Sequence, residues 1–279
     1  MNSIAQMLKL IRFPNLAIIA ITQFIAAVFL INENSFMSAI NNYQLLALIS
    51  STLLIASGGY IINDYYDIKI DYVNKPDRVV IGKHIKRQHV LIIHSVFNFS
   101  GIMLGALISW WAFGVNILAA FLLWLYSNIL KRLPLWGNLT VSFLTALSVF
   151  VVFILYRKNL NLILMYSIFA FFISLIREIV KDIEDIEGDE KFGCKTLPIT
   201  IGTSSTKKAI YGFTLFFLIV VYLVAHGLAI FWPFFIFLAA ILSFLCFKLY
   251  YADKKKDYSQ ISLFSKVIMI IGILSMMLI

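Results

Sequence analysis

Nine apolar runs, each close to the length needed to cross a bilayer, constrain this chain more than any other feature. A spanning helix needs roughly 20 largely apolar residues, with a range of about 17–25. Such runs lie near 13–31, 43–63, 89–111, 115–130, 139–156, 160–180, 209–230, 232–250 and 261–278. In lipid, a segment must satisfy its own backbone N–H and C=O groups, so runs of this length and apolarity fold as helices. The expected fold is an all-α integral membrane protein with nine transmembrane helices. Composition agrees. The chain is 61% hydrophobic and 13% charged, against about 45–50% and about 25% in a soluble domain. Lys9 and Arg12 ahead of the first run imitate the start of a signal peptide. The run is long enough to span and no small-residue cleavage site follows, so it reads as a retained first helix.

Loop charge sets the expected orientation. Lys69, Lys75, Arg78, Lys83, Lys86 and Arg87 lie between runs two and three, and Lys131 and Arg132 follow run four. Lys181, Lys191, Lys195, Lys207 and Lys208 follow run six, and Lys254, Lys255 and Lys256 follow run eight. The alternate loops carry only Arg157 and Lys158. Basic loops stay in the cytoplasm. The expectation is a multi-pass protein of the cell (inner) membrane, with the N-terminus inside and the C-terminus outside. That accounts for the net charge of +9 without a nucleic-acid partner. Cys194, expected in a cytoplasmic loop, and Cys246, inside run eight, are too few and too far apart in depth for a disulfide framework.

Against this apolar background two sets of acids stand out. Asp64, Asp67 and Asp71 follow one another at spacings of three and four, which on a helix keeps all three on one face. Asp182, Asp185 and Asp189 repeat the spacing. Each set falls at the cytoplasmic end of the second helix in a group of four. The economical description is one transmembrane domain, 1–279, built of halves near 1–135 and 136–256 with a ninth helix at 261–278. Ionisable groups beside hydrocarbon are costly and generally functional. Clustered carboxylates repel unless a cation sits between them. Ligands that are all oxygen suit a hard cation and disfavour zinc. Mg²⁺ is usually held by one or two carboxylates, with substrate phosphates and water filling the other positions.

The expected chemistry follows: about two Mg²⁺ ions bridging one diphosphate, held by Asp64, Asp67, Asp71, Asp182, Asp185 and Asp189. Asn63 is placed to ligate metal or orient Asp67. Lys75, Arg78, Lys181 and Lys195 are the nearby basic groups for the anion. A diphosphate at the mouth of an apolar cavity points to a polyprenyl diphosphate, with its tail in the lipid-like interior. The allylic cation left behind would meet an aromatic face, with Tyr65, Tyr66 and Tyr126 as candidates. Several polar residues have plainer readings. Asn15, Thr22 and Gln23 serve as helix–helix glue or line the cavity. His94 and His226 are interior or interfacial histidines. Lys254 to Lys256, with Asp253 and Asp257, are ordinary loop charges. No obligatory protein partner is evident.

These motifs resemble a known family. Asn63-Asp64-x-x-Asp67-x-x-x-Asp71, then Asn74-Lys75-Pro76-x-Arg78, resembles the first aspartate-rich signature of the UbiA superfamily of intramembrane prenyltransferases. Arg177-Glu178-x-x-Lys181-Asp182-x-x-Asp185-x-x-x-Asp189, then Gly193 and Thr196-Leu197-Pro198, resembles its second. Tyr126-Ser127-x-x-Leu130-Lys131-Arg132, then Gly137-Asn138, resembles the segment between helices four and five. The resemblance implies a nine-helix bundle, Mg²⁺ dependence and prenyl transfer from a diphosphate to a lipophilic acceptor. It also implies that Lys131 meets the diphosphate or an acceptor phosphate. Val79-Val80-Ile81-Gly82 departs from the proline-rich turn of many relatives. The second motif is most similar to the branch that transfers geranylgeranyl to the hydroxyl of geranylgeranylglyceryl phosphate. The alternatives are prenylation of an aromatic ring in quinone biosynthesis or of a porphyrin or chlorin. An ion-coupled transporter is disfavoured because the acids lie at helix ends rather than mid-membrane. A CDP-alcohol phosphotransferase is disfavoured because its Asp-Gly and Ala-Arg pairs are missing.

Overall fold

A computed structural model describes residues 3–31, 36–74, 79–225 and 231–278. Among these, nine helices are long and apolar enough to cross a membrane. The chain is therefore a multi-pass α-helical membrane protein. Lys75, Arg78, Asn74 as a side chain, and His226 fall outside the described residues.

In chain order, a short helix α1 (Ser3–Leu10) leads into α2 (Phe13–Ile25), which ends in a π-turn, Ala26–Leu30. Arg12, with φ 53°, turns the chain between α1 and α2, and Pro14 sits in the first turn of α2, where its missing N–H costs nothing. After α3 (Phe36–Ile40) comes α4 (Tyr43–Asn74), then α5 (Arg87–Ile108) and α6 (Trp110–Asn128). Next are α7 (Trp136–Tyr156), α8 (Leu160–Glu184), and the short α9 (Ile186–Lys191) and α10 (Leu197–Ile201). The last three are α11 (Thr203–Ala225), α12 (Phe231–Tyr251) and α13 (Lys255–Ser275).

Three differences from the sequence reading have physical causes. The second run was expected to end at 63, but α4 continues unbroken through the first acid set to Asn74. Its 32 residues span about 48 Å at 1.5 Å each, against about 30 Å of hydrocarbon. The last dozen residues are polar because they overhang the apolar layer. Hydropathy detects the layer, not the helix. The third and fourth runs were placed at 89–111 and 115–130, yet α5 and α6 meet at one residue, Ser109. Its extended backbone stops α5, and its hydroxyl accepts from the Ala112 N–H to start α6. The second acid set does not share one helix face as the first does. α8 stops at Asp185 (φ −100°, ψ 10°), and Asp189 lies on α9. Acids crowd the C-terminal end of α8, where the helix dipole disfavours anions. A fresh start puts Glu187 and Asp189 in the first turn of α9, where the dipole favours them.

The chain forms two compact units: residues 1–130 with 150–158, and 131–149 with 159–279. In the first, small residues let helices approach closely. A methyl group added at Gly59 would meet Leu123, and one at Gly101 would meet Ile55 and the Ser51 carbonyl. Asn116 donates to the Gly101 carbonyl at 2.9 Å, and Gln23 donates to Thr52 at 3.0 Å, so Gln23 serves as helix–helix glue. His94 bonds the Gly58 carbonyl and Asn98, a satisfied histidine as expected. In the second unit α13 packs on α8. Tyr166 bonds Ser275, and Gly272 lies against Phe169. Phe169, Phe172 and Phe217 form one aromatic cluster there. Cys194 is buried and Cys246 half-buried. Asp257 accepts from the backbone N–H groups of Asp253 and Lys254, capping α13.

Candidate functional site

In the first unit the candidate residues lie on the overhanging end of α4. Asp64, Asp67 and Asp71 occupy one continuous helix, all half-buried, with Asp64 and Asp71 two turns apart. Ile68 lies between them and is buried in an apolar cluster with Leu10, Ile61, Ile81 and Val90. That cluster fixes the rotation of α4 and so which way its acids turn. Asp64, Asp71 and Ile68, with Val79, Val80 and Ile81, line a small, shallow cleft. The segment that departs from the proline-rich turn thus becomes an apolar wall of this cleft. Gly82, at φ 84°, reverses the chain just beyond it, and its N–H bonds the Ile85 carbonyl at 2.9 Å.

Asp64 is held by Arg12, whose guanidinium donates to Oδ1 at 2.7 Å and lies 5.0 Å from the Tyr60 ring. Partial desolvation works against the Arg12 charge, and the Asp64 carboxylate more than offsets it. The guanidinium pKa is therefore held above its ordinary value. Tyr126, from α6, lies near Arg12. Asn15 sits half-buried one turn into α2, its N–H on the Arg12 carbonyl at 2.8 Å. Tyr65 is partly buried against the Leu10–Ile61 cluster, with Tyr66 packed edge-on to it at 5.6 Å. Arg12 was absent from the sequence-derived site because a basic residue ahead of a first helix is expected from orientation alone. The only available signal was its place directly before Pro14 and Asn15.

In the second unit Asp182 ends α8 and accepts from Asn138 Nδ2, on the first turn of α7, at 2.8 Å. Lys181 donates to Glu178 at 3.0 Å, and Arg177 pairs with the same carboxylate. Asp185 occupies the break between α8 and α9. The Cys194 N–H reaches back to the Asp189 carbonyl at 2.9 Å, and the Lys195 N–H reaches the Arg132 carbonyl at 2.8 Å. The segment after α9 is thereby joined to the turn that carries Lys131, so these two distant basic stretches lie side by side. Lys131 is half-buried and Lys195 exposed. Asn138 and Glu178 were visible in the sequence only as parts of motifs. Their roles depend on which helix each one faces.

The donor set can be tested for fit to a hard cation. It is all oxygen. Asn63 Oδ1 is buried and accepts no hydrogen bond, which is unusual for a buried carbonyl and apt for a metal ligand. Among the described residues, no three carboxylate, histidine or cysteine side chains already converge on one point. An ion here would need oxygens from a substrate phosphate and water to complete its shell, which is how Mg²⁺ is usually held. The residues fit on those terms.

Fold and acids together define a class: a multi-pass helical membrane protein that carries carboxylates at the ends of two of its spanning helices. The sequence profile of the UbiA prenyltransferase family matches residues 19–271. The chain belongs to that family. It is 38% identical over 170 residues to digeranylgeranylglyceryl phosphate synthase of Sulfolobus acidocaldarius, a match covering 58% of this chain and 60% of that protein. The chain spans less than two thirds of the length of the curated relatives it matches. A solved structure from a study of digeranylgeranylglyceryl phosphate synthase in membranes superposes with a TM-score of 0.75. Identity to it is 27%, covering 100% of this chain and 98% of that one. A UbiA homologue from Archaeoglobus fulgidus, solved with DMAPP and Mg²⁺, shares the fold at a TM-score of 0.64 and 16% identity, covering 98% of this chain and 99% of that one.

Proposed function

We propose that this protein transfers a polyprenyl group, geranylgeranyl, from its diphosphate to the free hydroxyl of geranylgeranylglyceryl phosphate. The observation that carries the reading is the acid-bearing end of α4, where Asn63 offers a buried carbonyl oxygen with no partner beside Asp64 and Asp67. The relatives named for this reaction, and the UbiA homologue solved with a prenyl diphosphate and Mg²⁺, support it. On this reading Asn63, Asp64, Asp67 and Asp71 hold one Mg²⁺, and Asp182, Asp185 and Asp189 hold another. Bound Mg²⁺ would supply the positive charge that stabilises the departing diphosphate.

The chain's own residues do the rest. Arg12 fixes the Asp64 carboxylate, and Asn138 fixes that of Asp182, so each presents its other lone pairs in one direction. Lys131, Lys181 and Lys195, with Lys75 and Arg78, meet the negative charge that grows on the leaving group. The allylic carbon loses its bond to the diphosphate oxygen as the acceptor hydroxyl oxygen bonds to it. The hydroxyl proton passes to diphosphate or water. Tyr66 and Tyr126 are the aromatic groups for the transient cation, while Tyr65 packs the α4 core. Asn15 borders the same end of α2. The reaction takes place at the cytoplasmic face of the cell membrane, with the N-terminus inside and the C-terminus outside.

The test is turnover of purified protein with Mg²⁺, labelled geranylgeranyl diphosphate and a panel of acceptors. Ether product with geranylgeranylglyceryl phosphate is expected. Product only with hydroxybenzoate, naphthoate or a porphyrin would overturn the choice of acceptor.

A further inference from the structure

The last two turns of α8 carry a group that the proposed transfer has not used. Glu178 is buried, with 8% of its surface exposed, and it answers two cations at once. Lys181 Nζ donates to its Oε2 at 3.0 Å, and the Arg177 guanidinium pairs with Oε1. Arg177 Nε, moreover, is buried and has no acceptor. A guanidinium carries five donors in a fixed fork, and burying one without an acceptor at the edge of the hydrocarbon is costly. Arg177 and Lys181 are one helical turn apart and share a face. Asp182 lies in electrostatic reach of Glu178 and Lys181.

The geometry points to a phosphate-binding cluster in which Arg177 and Lys181 take a phosphoryl oxygen of a substrate and Glu178 holds the two cations in place. Arg177 contributes Nε–H as the free tine of its fork, a donor shape that matches phosphate. Glu178 acts as a positioning residue. It fixes the rotamers of two long side chains whose freedom would otherwise be lost on binding. The inference rests on the prenyl-transfer reading for its choice of ligand chemistry. Phosphate oxygens come both from the donor's diphosphate and from the acceptor's glycerol phosphate, and the experiment separates the two.

The experiment uses the full chain in nanodiscs of neutral lipid. The probes are inorganic diphosphate and glycerol 1-phosphate, each with Mg²⁺, and binding is followed by calorimetry on the wild type, Arg177→Gln, Arg177→Lys and Glu178→Gln. One probe should bind the wild type. Its affinity should fall roughly ten- to a hundredfold in Arg177→Gln, the loss expected for one charge-assisted contact. It should fall less in Arg177→Lys, which keeps the charge but not the fork. In Glu178→Gln the affinity should also fall, measured at a temperature where circular dichroism shows the variant fully folded, which a purely structural ion pair would not give. Loss confined to diphosphate assigns the donor, and loss confined to glycerol 1-phosphate assigns the acceptor. Wild-type protein that binds neither probe, or variants that bind within twofold of wild type, would overturn the inference. Because binding is read without turnover, failure of prenyl transfer in a separate assay leaves this result intact and distinguishable.

Discussion

Replacing Asn138 by alanine tests whether the second acid set is organised for metal. Asn138 is buried, and its amide is a direct donor to Asp182 Oδ2, at 2.8 Å. A hydrogen bond to a charged group is worth about 1.5–3 kcal/mol. At about 1.4 kcal/mol per decade, that corresponds to roughly ten- to a hundredfold in an equilibrium constant. Loss of an outer partner of a metal ligand has effects of the same size, about 10–100-fold in metal affinity or activity. Without Asn138 the carboxylate can swing, and Mg²⁺ must pay the cost of ordering it. The assay is turnover against Mg²⁺ concentration. Asn138→Ala should need roughly ten- to a hundredfold more Mg²⁺ for half-maximal rate, with most of the rate recovered at saturation. A folded Asn138→Ala protein with wild-type Mg²⁺ dependence, even at a lowered maximal rate, would refute the view that Asn138 orients a metal-binding carboxylate.

Asp67→Ala and Asp185→Ala should each abolish turnover while the helical circular dichroism and melting temperature hold; substantial remaining activity in either would count against the ligand assignment. Arg12→Ala should lower turnover far more than stability. The Arg12 side chain is 39% exposed, so its ion pair contributes no more than about 1 kcal/mol to folding, whereas the orientation of Asp64 depends on it. Parallel measurements of rate and melting temperature separate the two effects. Gly272→Ala should destabilise the second unit. The new methyl carbon would come 2.3 Å from the Phe169 ring, and that ring is already packed against Phe217. Overpacking costs about 1–3 kcal/mol, against at most about 1 kcal/mol gained from helix propensity, so the melting temperature should fall.

The number of spanning helices, their approximate places and the two sets of acids are all legible in the sequence, for a physical reason. Lipid enforces long apolar runs and makes every charge near them conspicuous, so hydropathy and carboxylate spacing are strong signals. The helix ends were not legible, because hydropathy stops where the hydrocarbon stops while α4 runs on to Asn74. Nor could spacing alone reveal that Asp182 and Asp189 lie on different helices, since a cap is set by local backbone torsion at Asp185. Tertiary structure alone decided the partners. Arg12 meets Asp64 across 52 positions of sequence, and Asn138 meets Asp182 across 44. Such pairs depend on which faces two helices turn to each other, and that is fixed by packing against residues such as Ile68 and Ile61 rather than by any pattern within one segment.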